Sequence, residues 1–311
     1  MYKSAVNFKP ILVTGSHRSG TTWMGRIVCS VPGVAYVHEP FNPGYGRGKC
    51  SADFRQWYTF INHDNEADFL SPISNTLNFK YDLRAGFRKS SNIEDFLKVW
   101  KEFWAFTYFR LMKKRPLLKD PIALFSAEWL SDRFNMDVVM LIRHPAAFAG
   151  SLKRLNWAYP FEDFLNQPLL MSAFIQPFQA EIEKAASKKN DIIDQAILLW
   201  RIFHSVIMYY KKRHADWLFI RHEDLSRAPL EGFRQIFSAL QIDFTPKIEK
   251  VIKKYSDPDN PNAAKGVNEI KISSVSNIRN WKRRLSESEI SRIREGTGDI
   301  WPFFYSEQDW Q

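Results

Sequence analysis

Residues 11–23 read Ile11-Leu12-Val13-Thr14-Gly15-Ser16-His17-Arg18-Ser19-Gly20-Thr21-Thr22-Trp23. A short apolar run ends in a glycine-containing turn, and the residues from Thr21 to Cys29 carry a helical pattern. The order is strand, tight loop, helix. The first N–H groups of a helix have no partner within it, and the macrodipole favours negative charge there, so this arrangement binds an anion such as phosphate. Gly20 lets the backbone approach a phosphate closely, and Thr21 and Thr22 add hydroxyl donors.

The loop departs from the nucleoside triphosphate type, G-x-x-x-x-G-K-[ST]. Thr21 stands at the lysine position, and the cation comes earlier, as Arg18. The most strand-like run of the chain, Val138–Ile142, ends in Arg143 and not in a metal-binding aspartate. The loop therefore has the equipment to hold phosphate without the lysine and the carboxylate–metal site that triphosphate hydrolysis uses.

Working outward, short strands are expected at 34–37, 117–118, 138–142 and 217–220, and helices at 123–133, from Pro145, at 193–210 and at 230–240. Strands alternating with helices predict an α/β fold of the P-loop type, a mostly parallel sheet flanked by helices. Residues 42–92 carry no clear period and read as loop. Phe96, Leu97, Trp100, Phe103, Trp104, Tyr108 and Leu111 recur every three to four residues, which predicts a helix over 93–113 whose apolar face packs into the core. Residues 1–311 read as a single domain, and 258–261 carry the strongest loop signal of the C-terminal third.

Lys and Arg number 44 against 34 Asp and Glu, a net charge of +10. The excess favours anionic partners such as nucleotides or acidic polysaccharide. Cys29 and Cys50 are the only cysteines, too few for a disulfide framework or a four-cysteine zinc site. Met1–Pro10 has no apolar signal-peptide core, and no run reaches the ~18 apolar residues of a membrane span. A soluble chain of a reducing, cytoplasmic compartment is expected, unless it is part of a longer membrane or secretory-pathway enzyme.

The run Arg18-Ser19-Gly20-Thr21-Thr22-Trp23 resembles the 5′-phosphosulfate loop of sulfotransferases that use 3′-phosphoadenylyl sulfate (PAPS). Arg143-His144-Pro145, with Ser151 eight residues after Arg143, resembles the family's 3′-phosphate motif, in which a strand-end Arg and a Ser on the next helix clamp the phosphate. Lys119-Asp120-Pro121 is similar to the strand end that supplies a catalytic lysine. Arg221-His222-Glu223-Asp224-Leu225 resembles the family's Tyr-Glu-Asp-Leu segment, with His222 in place of the tyrosine near the adenine, and Trp23 matches a position that stacks on it. Residues 40–115 and 155–195 match little and would form the acceptor side.

The resemblance implies sulfuryl transfer from PAPS to an acceptor hydroxyl, leaving adenosine 3′,5′-bisphosphate. Such in-line displacement rests on positioning and cationic stabilisation and needs no metal where side chains supply the charge. Arg18 and Lys119 are the candidate cations. The general base is Glu39 or His38, which together end the second strand. A Glu shortly after the phosphate loop is the pattern of tyrosylprotein and several carbohydrate sulfotransferases, whereas the cytosolic phenol enzymes use a later His absent here. The resemblance thus favours Glu39 over His38, and Asp120 beside Lys119 is the candidate should neither serve. A carbohydrate hydroxyl, such as that of an acidic glycan, is the favoured acceptor, followed by a small lipid or metabolite alcohol and then protein tyrosine. Ser274 or Ser276 is expected to assist at the nucleotide, and Arg279 or Lys282 to reach the 3′-phosphate. His17 and His144 are expected to be structural. No nucleic-acid partner is expected. The rival readings are a P-loop kinase or NTPase and a non-catalytic polyanion-binding protein.

Overall fold

The computed structural model describes residues 9–44, 48–88, 90, 92–187, 191–257, 259–261 and 278–311. Its architecture is α/β, a five-stranded parallel sheet flanked by helices, with strand order β2-β3-β1-β4-β5. The strands are β1 (Ile11–Gly15), β2 (Val34–His38), β3 (Arg115–Lys119), β4 (Asp137–Ile142) and β5 (Leu218–Arg221). The chain forms two compact units, one of Met1–Thr14 with Val28–Val138, the other of Gly15–Ile27 with Val139–Gln311.

In the first unit β3 lies between β1 and β2, with Val13 and His38 each in register with Lys119. Ile11, Leu12, Val13, Leu117 and Leu118 are wholly buried. Runs apolar on both faces are what a central parallel strand requires, and they explain why these short segments are legible as strands. The second unit holds β4 and β5 with helices Pro145–Leu155 and Ile192–Arg213. Pro145 opens the first of these, where its missing N–H costs nothing. Asp191 caps the second by accepting from the Ile193 amide. Among the described residues, Ile192–Arg213 is the one helix long and apolar enough to cross a membrane by length and composition, but its Leu199, Trp200, Phe203 and Ile207 are buried in protein.

Two expectations need correction. Residues 42–92 are not all loop, because helices Ala67–Leu77 and Leu83–Phe87 lie within them. The first carries Pro72 inside and is rich in Ser, Asn and Thr, so neither propensity nor period announces it. The helix over 93–113 exists, as Ile93–Leu111, but its apolar stripe faces solvent and not the core. Only Val99 and Phe106 of that helix are buried. The period reports that one face is apolar and not which face is covered.

Candidate active site

In the second unit, Gly15 ends β1 with φ +133° and Gly20 enters helix α1 (Thr21–Val28) with φ +96°. A Cβ on Gly15 would come within 2.2 Å of the Leu141 carbonyl oxygen, and one on Gly20 within 2.4 Å of the His222 imidazole. The loop is thus pressed against the backbone of β4 at Gly15 and against the His222 side chain at Gly20, both at φ values that L residues rarely adopt. The Met24 amide already donates to Gly20 O, which closes the first turn of α1. The hydroxyls of Ser16 and Ser19 are buried and find no protein partner among the described residues. Buried hydroxyls left unsatisfied at a helix start suit the oxygens of a bound anion.

Among the described residues, eight non-glycine residues have positive φ. Asn135 and Asn156 close helices as left-handed caps, an ordinary use. Arg18, at φ +63°, and Glu39, at φ +43°, close no helix, and strain held at such positions points to function. The Arg18 Nε donates to Ser151 Oγ at 3.0 Å. The loop cation and the helix Ser, assigned from sequence to opposite ends of a nucleotide, are therefore hydrogen-bonded to each other.

Arg143 follows β4 and is buried. Its Nε lies 3.4 Å from a carboxylate oxygen of Glu223. Glu223 in turn accepts from the His144 amide at 3.2 Å and from the Tyr305 hydroxyl at 2.9 Å. The Trp200 indole donates to the Arg143 carbonyl at 2.8 Å. Burial pushes the Arg143 guanidinium below its ordinary value, against the pull of Glu223. A second arginine shares this field. Burial, then the charges of Arg154, Arg143 and Arg283, lower Arg284 to about 10. Arg284 thus lies in the positive field of Arg154, Arg143 and Arg283.

Arg284 is the residue sequence reasoning missed. Trp281 is buried and begins a tight helical turn, and the Arg284 amide donates back to its carbonyl. The spacing of three puts Arg284 on the inner side of the segment, a signal that was present in the sequence. Arg279 and Lys282 are exposed, and the Lys282 ammonium donates to the Gln311 carbonyl oxygen at 2.6 Å. Ser274 and Ser276 lie outside the described residues.

Trp23 and His222 are buried and meet edge to face, with centroids 5.7 Å apart, and Phe233 backs the indole. His17 is enclosed by Phe148, Trp157 and Phe203, and burial followed by the charge of Arg18 lowers it to about 3. His144 stacks against Trp281, and burial lowers it to about 4. Both imidazoles are neutral packing elements at physiological pH.

The first unit carries the other cluster, at the ends of β2 and β3. Lys119, buried, forms an ion pair with Glu39, whose second oxygen accepts from the Asn42 side chain at 3.0 Å. The Glu39 amide donates to the Lys119 carbonyl at 2.9 Å, which fixes the turn after β2. Burial works to raise the Glu39 carboxyl, but Lys119, His38 and Asn42 outweigh it and hold the group below the usual carboxylate range. Asp120 is fully buried and accepts from the amides of Phe41, at 2.8 Å, and Ile122, at 3.0 Å. Burial and the neighbouring Glu39 charge push it up to about 7. The His38 imidazole stacks on Tyr36, its Nδ1 3.3 Å from the Tyr36 hydroxyl. Among the described residues, no group of three or more His, Cys, Asp or Glu is placed to hold a metal ion.

Parallel strands flanked by helices, with a glycine loop after β1 in one unit and a lysine-paired carboxylate at the ends of β2 and β3 in the other, define an α/β protein of the P-loop type. Comparison with known proteins gives that class a family. Residues 10–246 match the family described as "Sulfotransferase family", and the chain belongs to it. No curated protein matches the sequence. Similar solved structures include the sulfotransferase domain of the Synechococcus PCC 7002 olefin synthase, at 17% identity and TM-score 0.50, covering 98% of each chain. The sulfotransferase domain of the curacin biosynthetic pathway is 13% identical, with TM-score 0.48, over 94% of this chain and 99% of that one. Mouse sulfotransferase SULT7A1, solved with PAP, is 10% identical, with TM-score 0.46, over 97% and 86%. At 17% identity the likeness to the olefin synthase domain speaks for the fold alone.

Proposed function

We propose that this sulfotransferase uses PAPS as donor and transfers its sulfuryl group to an acceptor hydroxyl, with Glu39 as general base. The observation that carries the reading is the pair of anion-binding arrangements in the second unit. One is the loop with its unsatisfied Ser16 and Ser19 hydroxyls, and the other is Arg143 with Arg284. A nucleotide with phosphates on both faces of its ribose uses both. The loop, Arg18 and Thr21 would take the 5′ side, Arg143, Ser151 and Arg284 the 3′-phosphate, and Trp23 with His222 the base. PAPS supplies an activated sulfuryl group whose leaving oxygen gains charge. Arg18 is the chain's cation for that charge in the phosphate loop.

Glu39 is ionised at neutral pH because Lys119 holds it so, which makes it ready to take a proton. The same pairing lowers its basicity. The proton is therefore expected to leave the acceptor late, after bonding to sulfur has acidified the hydroxyl. Lys119 balances the charge of the carboxylate before transfer. A carbohydrate hydroxyl is the proposed acceptor class, supported by the Glu base near the loop and by the basic excess, and a cytoplasmic location is proposed with it.

The deciding experiment is calorimetry on the Arg143→Ala variant. Losing a charge-assisted bond costs about 1.5–3 kcal/mol, or about 10- to 150-fold. Adenosine 3′,5′-bisphosphate should weaken by that factor while adenosine 5′-phosphate changes little. Equal losses for the two nucleotides would remove the 3′-phosphate assignment. The acceptor class is tested by a PAPS-dependent screen over glycans, phenols and peptides, in which turnover confined to the phenols or peptides overturns the carbohydrate reading.

A further inference from the structure

The helix Ile93–Leu111 turns an apolar stripe outward. Ile93, Leu97, Trp104 and Leu111 are 71%, 61%, 62% and 73% exposed, and Trp100 and Tyr108 are exposed with them. These six residues follow one another at steps of four, three, four, four and three, which is one continuous face. The face runs for about 27 Å at the helical rise. Its opposite side, through Val99 and Phe106, anchors the helix to its own unit, where Phe106 meets Phe79 and Tyr81 edge to face. A contiguous apolar patch of this kind marks an interaction surface.

The charges around the stripe decide its occupant. Over residues 80–114 there are nine basic residues against four acidic ones. Lys98, Lys101, Arg110 and Lys113 are exposed on and beside the helix. Of the acids, Glu102 is engaged by Lys49 at 3.0 Å and by the Tyr81 hydroxyl at 3.1 Å. Glu94 and Asp95 lie in the first turn, where they complement the helix dipole. A second copy of the chain docked on this face would bring a second set of the same cations against the first. An anionic lipid surface meets both demands. Its acyl boundary takes the leucine and isoleucine side chains, its interface suits Trp and Tyr, and its headgroups pair with lysine and arginine. We propose that the helix Ile93–Leu111 is a peripheral membrane-docking element, lying in the plane of an anionic bilayer surface with Leu97, Trp100, Trp104 and Tyr108 inserted.

The test is co-sedimentation of the full chain with vesicles of phosphatidylcholine alone and with vesicles of phosphatidylcholine and phosphatidylserine at 70:30. The expected result is binding to the anionic vesicles at least about tenfold stronger than to the neutral ones, since each near-surface cation adds roughly fivefold. Leu97→Glu with Trp104→Glu should abolish that binding. Both sites are solvent-exposed, and an unchanged circular dichroism spectrum and melting curve would show that the variant is folded. Lys98→Glu with Lys101→Glu should reduce the preference for phosphatidylserine while leaving the fold intact. Absence of binding to either vesicle, equal binding to both, or binding that survives the Leu97→Glu/Trp104→Glu change would each overturn the proposal. A concentration-dependent dimer in light scattering that the same double variant dissolves would overturn it in favour of self-association.

Discussion

Glu39 combines three properties seldom found together in one carboxylate: a left-handed backbone, an ion pair with a buried lysine, and a second oxygen held by an amide. Glu39→Gln keeps the size and part of the hydrogen bonding but cannot accept a proton. With Glu39 as base, kcat should fall by about 10²- to 10⁴-fold while the affinity for PAPS stays nearly unchanged. His38→Asn should cost much less, because the imidazole is stacked on Tyr36. Loss of turnover in His38→Asn with an intact Glu39→Gln would exchange the roles. Asp120 acts differently, since both its oxygens are used by backbone amides. Its folded value of about 7 stands above the 3.8 of an ordinary aspartate. The folded state therefore holds more protons than the unfolded one between about pH 4 and 7, and stability contributed by this group is lost as pH rises through that window. The melting temperature of the native chain relative to Asp120→Asn should fall between pH 4 and 7. A difference that is flat across that range would show that Asp120 does not titrate there.

At the scale of elements, the loop after β1 is set by close contacts at its two glycines. Gly15→Ala would drive a Cβ into the backbone of β4, at a φ that L residues rarely adopt. Backbone strain of this kind costs about 1–3 kcal/mol before the clash is counted. A melting temperature lowered by about 5 °C or more is expected, and an unchanged one would contradict the described packing. Gly20→Ala meets the His222 ring, the movable end of a side chain, so it should cost less stability but weaken adenosine 3′,5′-bisphosphate binding through the displaced His222 and Trp23. The loop and the strand-end Arg143 were legible because each is a contiguous run whose chemistry is local. The helix Ala67–Leu77 was not, because its proline and polar residues hide a short amphipathic segment that tertiary packing stabilises.

For the molecule as a whole, the balance of charge bears on the reaction. Under the proposed function, Arg18, Lys119, Arg143 and Arg284 would supply the positive charge that a divalent metal supplies in triphosphate chemistry, and the strand-end Asp120 is committed to backbone amides. Turnover should therefore be unchanged in excess EDTA. Full loss in EDTA, restored by Mg²⁺, would favour a nucleoside triphosphate reaction. The sequence by itself determined the alternation of strands and helices, the anion loop, the strand-end arginine and the existence of an apolar helix face. Each is written in residues a few positions apart, where backbone geometry and periodicity act directly. Only the tertiary structure decided that Glu39 pairs with Lys119, that Arg18 bonds Ser151, that Arg284 joins Arg143, and that the face of Ile93–Leu111 turns outward. Those outcomes depend on residues as many as 141 positions apart in the chain, and burial and charge between such residues are set by packing, which no local pattern encodes.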